Sequence, residues 1–168
     1  GRSRKGKRKF LLFYLHISNL YHIFDPNQLK LTNMEGITIT VSKEKAEELF
    51  YNALCNGLNY FCSCAGFKYE YDEKMYRKAK LSLLEKGAKS LCFEDVLMEV
   101  LRIGGTLNLI DEEGNGDNSK NISLKDVHDR VAKTPTDHLM DMVNEEDDAT
   151  TAYIMIQAVM YDGEIIFG

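Results

Sequence analysis

From Ile37 onward the hydrophobic pattern switches repeatedly between a period of two and a period of 3.6, and no period-two segment runs beyond about five residues. Strands so few and so short cannot build a doubly wound parallel sheet, in which each added strand needs its own crossover helix. The pattern predicts an α+β fold: a single compact domain with a small, mostly antiparallel sheet packed with roughly four to six helices. No internal repeat is present.

The individual elements follow from that alternation. Ile37–Val41 alternates β-branched residues and reads as a strand, after which Ser42 can cap a helix. Ala46, Leu49, Phe50, Ala53, Leu54 and Leu58 form an i, i+3, i+4 stripe that predicts an amphipathic helix stopped near Gly57. Phe67, Tyr69 and Tyr71 alternate with Lys68, Glu70 and Asp72 as in a half-exposed strand. Asp72 then caps a helix reaching Lys86, with Tyr76, Ala79, Leu83 and Leu84 inward and Gly87 beyond its end. Leu91–Phe93 reads as a short strand, and Glu94–Ile103 as a helix burying Val96, Leu97, Val100 and Leu101. Thr106–Ile110 and Asn121–Leu124 flank a polar, glycine-bearing stretch, which predicts a hairpin with a long mobile tip. Ser123 and Asp126 form a capping box for a helix with Val127 and Val131 inward. Thr134-Pro135 ends that helix and starts another carrying Leu139, Met140 and Val143 inward. Ala149–Tyr161 fits either period. Asp148 as a cap favours helix, and Gly163 then leads into a closing strand over Glu164–Phe167.

Charge divides the chain in two. Residues 1–33 hold seven basic side chains and one acid, whereas the remainder holds fourteen Lys and Arg against twenty-five Asp and Glu. The basic residues Arg2, Arg4, Lys5, Lys7, Arg8 and Lys9 precede an apolar run, Phe10–Phe24, that is too short and too polar to span a bilayer. The run imitates a secretory signal, but His16, Asn19 and His22 interrupt it and no small-residue cleavage site follows. The change of charge regime at Met34 leads us to expect an N-terminal extension over 1–33, non-native or disordered, ahead of a globular domain over 34–168. Acting instead as an arm, the six basic residues would contact nucleic-acid phosphates.

Candidate chemistry is sparse. Asp111, Glu113, Asn115, Gly116 and Ser119 match part of a twelve-residue calcium loop, but Ile122 stands where a bidentate carboxylate is required, so a solvated hairpin is expected there. Cys62 and Cys64 have one residue between them and no second ligand pair. With Cys55 and Cys92 they read as buried, inert thiols of a reduced protein. His128, Asp137, His138 and Asp141 are the nearest approach to an acid–base cluster, but nothing forces them together and solvated helix faces are the better reading. Tyr69 and Tyr71 on one strand face could stack bases, but core packing suits them better beneath an acidic body that repels phosphate. A Ser–His–acid arrangement, HExxH and a P-loop are all missing, and Gly114 and Gly116 lack the context of a dinucleotide site. We therefore expect no metal and no cofactor.

The last twenty-three residues resemble the C-terminus of small uncharacterised bacteriophage and prophage proteins. The matching positions are Asp148, Ala149, Thr151, Ala152, Gln157, Tyr161, Gly163, Glu164, Ile165, Ile166, Phe167 and Gly168, with Tyr153 and Asp162 departing from the pattern. The resemblance implies a small cytoplasmic protein of a mobile element in a bacterial host, with Met34 as its start, and implies no activity.

Together these readings predict a non-enzymatic binding or regulatory protein. It would act on a host or phage protein through an acidic surface at Glu145, Glu146, Asp147 and Asp148, with a homodimer as one form. For residues 34–168 neither nucleic acid nor membrane is an expected partner. The alternatives are a nucleic-acid-binding module using the basic arm, and a metal-dependent enzyme using Asp147, Asp148, His128 or His138.

Overall fold

The computed structural model describes residues 29–32 and 38–168. The basic run and the apolar run of the predicted extension lie outside these residues. In chain order the elements are β1 (Leu29–Thr32), β2 (Thr38–Val41), α1 (Lys43–Ala65), β3 (Phe67–Tyr71), α2 (Glu73–Glu85) and α3 (Phe93–Arg102). They continue with β4 (Leu107–Asp111), β5 (Lys120–Ile122), α4 (Leu124–Arg130), a 3-10 turn (Val131–Lys133), α5 (Thr136–Val143) and α6 (Ala149–Met160). The fold is α+β, with six helices among the described residues. β1 and β2 form an antiparallel pair that begins ahead of Met34. The second sheet is antiparallel in the order β3-β4-β5, with Tyr69 opposite Leu109 and Leu107 opposite Ile122.

The core is built around α1. Ser42 caps it by accepting from the Lys45 amide at 3.1 Å, as its sequence position predicts. The helix does not stop at Gly57. It continues to Ala65, burying Phe61 on the extended stripe, and ends where Gly66 adopts the left-handed conformation at φ 69°. Gly57 serves close approach instead: a Cβ there would lie 2.5 Å from the Ala152 Cβ and 3.0 Å from the backbone of Ala152 and Tyr153. Among the described elements the α1–α6 contact is the most extensive. Every residue of α6 from Thr151 to Met160 is buried except Ile154. An all-round hydrophobic helix belongs in a core, which is why its sequence also satisfied a strand period.

Three other expectations are corrected. Leu91–Phe93 is not a strand: Cys92 is the N-cap of α3, and its amide donates to Asp95 at 2.9 Å. On α5 the inward residues are Leu139 and Met142, whereas Met140 and Val143 are exposed, a one-residue rotation of the predicted stripe. On α2, Leu84 is likewise exposed.

Residues 164–168 join no strand among the described residues, so the expected closing strand over Glu164–Phe167 is not formed. The fully buried Gln157 of α6 does the pairing: its Oε1 accepts from the amides of Ile166 (3.0 Å) and Phe167 (2.8 Å), and its Nε2 donates to the Phe167 carbonyl (2.9 Å). One side-chain amide thus replaces a neighbouring strand, satisfying backbone groups that would otherwise be desolvated unpaired. The hairpin tip is also tied down. Asp111 accepts from the Gly114 amide (2.6 Å) and from Asn118 Nδ2 (2.9 Å), and Tyr161 donates to the Asn118 carbonyl at 2.8 Å.

Two consequences can be measured. Gly57→Val should destabilise the domain by about 1–3 kcal/mol in urea unfolding through overpacking. Adding Ala152→Gly should return part of that loss, whereas Ala152→Gly alone should not stabilise. Gln157→Leu should leave the Ile166 and Phe167 amides exchanging at unprotected rates while α6 amides stay protected, at a stability cost of about 1–3 kcal/mol.

Candidate functional site

The polar groups that the sequence left unassigned meet in one chain across four helices. Glu47 of α1 accepts from Arg102 Nε at 2.7 Å on one oxygen and lies 2.8 Å from His128 Nε2 of α4 on the other. Arg102, on α3, also reaches Glu99 at 3.7 Å. Glu99 is 1% exposed, and its other oxygen accepts from Lys86 Nζ at 2.6 Å and Ser82 Oγ at 2.7 Å, joining the end of α2 to α3. Burial pushes both carboxyls up, but hydrogen bonds outweigh it: from Arg102 and His128 for Glu47, and from Lys86 and Ser82 for Glu99. Both carboxyls therefore sit below the ordinary glutamate value of 4.5.

This chain underlies a cleft of about 550 Å³ between the first half of α1, α3 and the connection after α2. Leu83, Leu91 and Met98 supply apolar lining, and Glu44, Glu47, Glu48 and Asp95 contribute four carboxylates against the single cation Arg102. Arg102 is engaged by Glu47 and Glu99, so the open rim is acidic. Among the described residues Glu48 is paired with half-buried Lys45 alone, at 2.8 Å, an interaction of small energy. Asp95 is held low first by the Cys92 amide. Tyr51, also on the cleft wall, has its hydroxyl 3.4 Å from Cys92 Sγ.

The predicted site residues are dispersed. Glu145 to Asp148 connect α5 to α6. Asp148 caps α6 through the Thr151 amide at 2.8 Å, and Asp147 accepts from Asn56 at 2.7 Å, so two of the four carboxylates already serve the fold. Glu145 is left-handed at φ 58°, and the Glu146 amide closes α5 on the Asp141 carbonyl. His128 pairs with Glu47, while His138 lies 3.5 Å from Thr151 Oγ1, so the two histidines have separate partners. Arg2, Arg4, Lys5, Lys7, Arg8 and Lys9 lie outside the described residues. The thiols are not buried as expected: Cys55, Cys64 and Cys92 are exposed and Cys62 is half-buried, where desolvation pushes it up to about 11. Their helix-face positions, rather than their residue type, decide this. Tyr69 and Tyr71 pack in the core-side aromatic group with Tyr76 and Phe93 and form no open stacking platform. Among the described residues, no group of three His, Cys, Asp or Glu is arranged to hold a metal ion, and no helix is long and apolar enough to cross a membrane.

Glu99 had a legible signal, a lone carboxylate inside the apolar run Val96–Leu101. A charge in such a run demands a partner. Glu47, Arg102 and Tyr51 had none, because their neighbours come from helices distant in sequence.

No family model, curated protein or solved structure matches the chain. The residues behind the bacteriophage resemblance have structural duties here: Asp148 caps, Gln157 clamps the C-terminal segment and Gly163 turns at φ 97°.

Glu47 and Glu99 set a pH dependence. A carboxyl whose folded pKa lies below its unfolded value contributes stability that is complete above the unfolded value and lost as pH falls through the folded one. The domain should therefore weaken on acidification below about pH 4.5. Glu47→Gln should lower stability by about 1–3 kcal/mol at neutral pH, and its difference from the wild type in urea midpoint should shrink toward pH 3.

Proposed function

We propose that this is a non-enzymatic protein-binding module whose acidic cleft receives a basic, partly apolar segment of a partner protein. The observation that carries the reading is the cleft itself: apolar lining with a rim of carboxylates whose one cation is internally engaged. Such a surface desolvates an apolar side chain while its rim attracts Lys or Arg, which favours both docking and approach. The resemblance of residues 146–168 supports a phage or mobile-element protein, acting on a host or phage protein in the bacterial cytoplasm. The run Glu145–Asp148 adds to the acidic field from the other half of α1, near Asn56.

Affinity capture from bacterial lysate tests this reading. The wild-type chain should retain a stoichiometric protein that E44K/E48K loses, with both forms equally folded by circular dichroism. Equal retention by the two forms would falsify the cleft as a receptor, and so would the absence of a stoichiometric protein on a wild type that is itself monomeric.

A further inference from the structure

Helix α2 is held on one side only. Ala79 is its single buried residue, and it packs with half-buried Met75, Tyr76 and Leu83 against Val96 and Val100 of α3. The opposite face carries Leu81, 61% exposed, and Leu84, 46% exposed. At 3.6 residues per turn Arg77 falls beside them, with Lys74, Lys78 and Lys80 on the flanks. All four cations are exposed, and none pairs with an acid among the described residues. Over residues 73–89 there are six Lys and Arg against two Glu, on a body that is otherwise acidic. The ridge is therefore apolar at its centre and cationic at its margins.

The cleft on the same chain has the converse character, with apolar lining at Leu83, Leu91 and Met98 and carboxylates at Glu44, Glu48 and Asp95. Leu83 of α2 lines that cleft, so ridge and cleft flank one another on opposite sides of a single helix. Two such neighbouring, complementary surfaces can be satisfied together by one two-fold axis.

We infer that the α2 ridge of one copy seats in the acidic cleft of a second copy, and reciprocally, closing a symmetric dimer. The inference rests on the cleft being a receptor for basic, apolar segments and names the chain itself as one such partner. Leu81 and Leu84 supply the buried apolar area, while Arg77 and Lys78 face the rim carboxylates, a combination that weakens as salt screens the charges.

Charge exchange tests it on the full chain by sedimentation velocity over the micromolar range, at low and at high salt. The wild type should dimerise, less tightly at high salt. R77E/K78E and E44K/E48K should each raise the dissociation constant by roughly 100-fold, because each variant then opposes like charges at both contacts. An equimolar mixture of the two variants should restore the dimer, since the acidic ridge of one now meets the basic cleft of the other, and the converse pair also matches. A wild type that is monomeric throughout, or a mixture that stays monomeric, overturns the inference. So does a monomer whose ridge binds heparin in an R77E/K78E-sensitive way, which would assign the ridge to a polyanion. A monomer that still captures a lysate protein through Glu44 and Glu48 would remove the dimer and leave the receptor reading standing.

Discussion

At Gly57 the α1 backbone meets Ala152 of α6 with no space for a side chain between them. That approach fixes how deeply α6 sits and therefore which of its groups are desolvated. Because α6 is buried on nearly every side, its fully buried amide residue, Gln157, must find partners within the protein. It finds them in the last residues of the chain, so the C-terminal segment is positioned by the same packing that makes Gly57 necessary. Tyr161, just beyond α6, extends the effect to the hairpin by bonding Asn118, and burial pushes its hydroxyl up to about 12.

The second organising element is ionic. Glu47, Arg102, Glu99 and Lys86 run as alternating charges over α1, α3 and the end of α2, and the His128 ring of α4 lies against the second oxygen of Glu47. Removing one member would leave its neighbours partly desolvated without a counter-charge, so the members are expected to couple rather than add. The arrangement also decides the chemistry of the cleft above it. Arg102 lies exposed on the cleft wall, but its charge is shared by Glu47 and Glu99, which leaves Glu44, Glu48 and Asp95 without it.

Local signals gave the strand-and-helix alternation correctly wherever an element has one buried face. Ser42, Asp72, Asp148 and the Ser123–Asp126 box cap the helices that their positions indicated. At Leu91–Phe93 a local cap overrides the strand pattern, and other errors came where a residue's role depends on a distant partner. Gly57 has the local look of a helix stop, yet α6 makes it a contact point. The closing segment Glu164–Phe167 has the pattern of a strand but pairs with a side chain, which no periodicity reveals. The site was less legible still. The conspicuous acidic run at Glu145–Asp148 proved partly occupied by capping and by Asn56, while the cleft draws its carboxylates from two helices about fifty residues apart.

The same separation of local from averaged properties applies to charge. Taken over the sequence, residues 34–168 are strongly acidic and argue against any anionic partner. Yet six of their fourteen Lys and Arg belong to residues 74–89, so nearly half of the cations are concentrated on α2 and the connection after it. Screening limits exposed charges to a range of about 8–10 Å at physiological salt. A docking partner therefore responds to the patch it touches, not to the net charge of the chain. The protein offers two such patches of opposite sign on either side of one helix, and a partner's chemistry is set by which of them it meets.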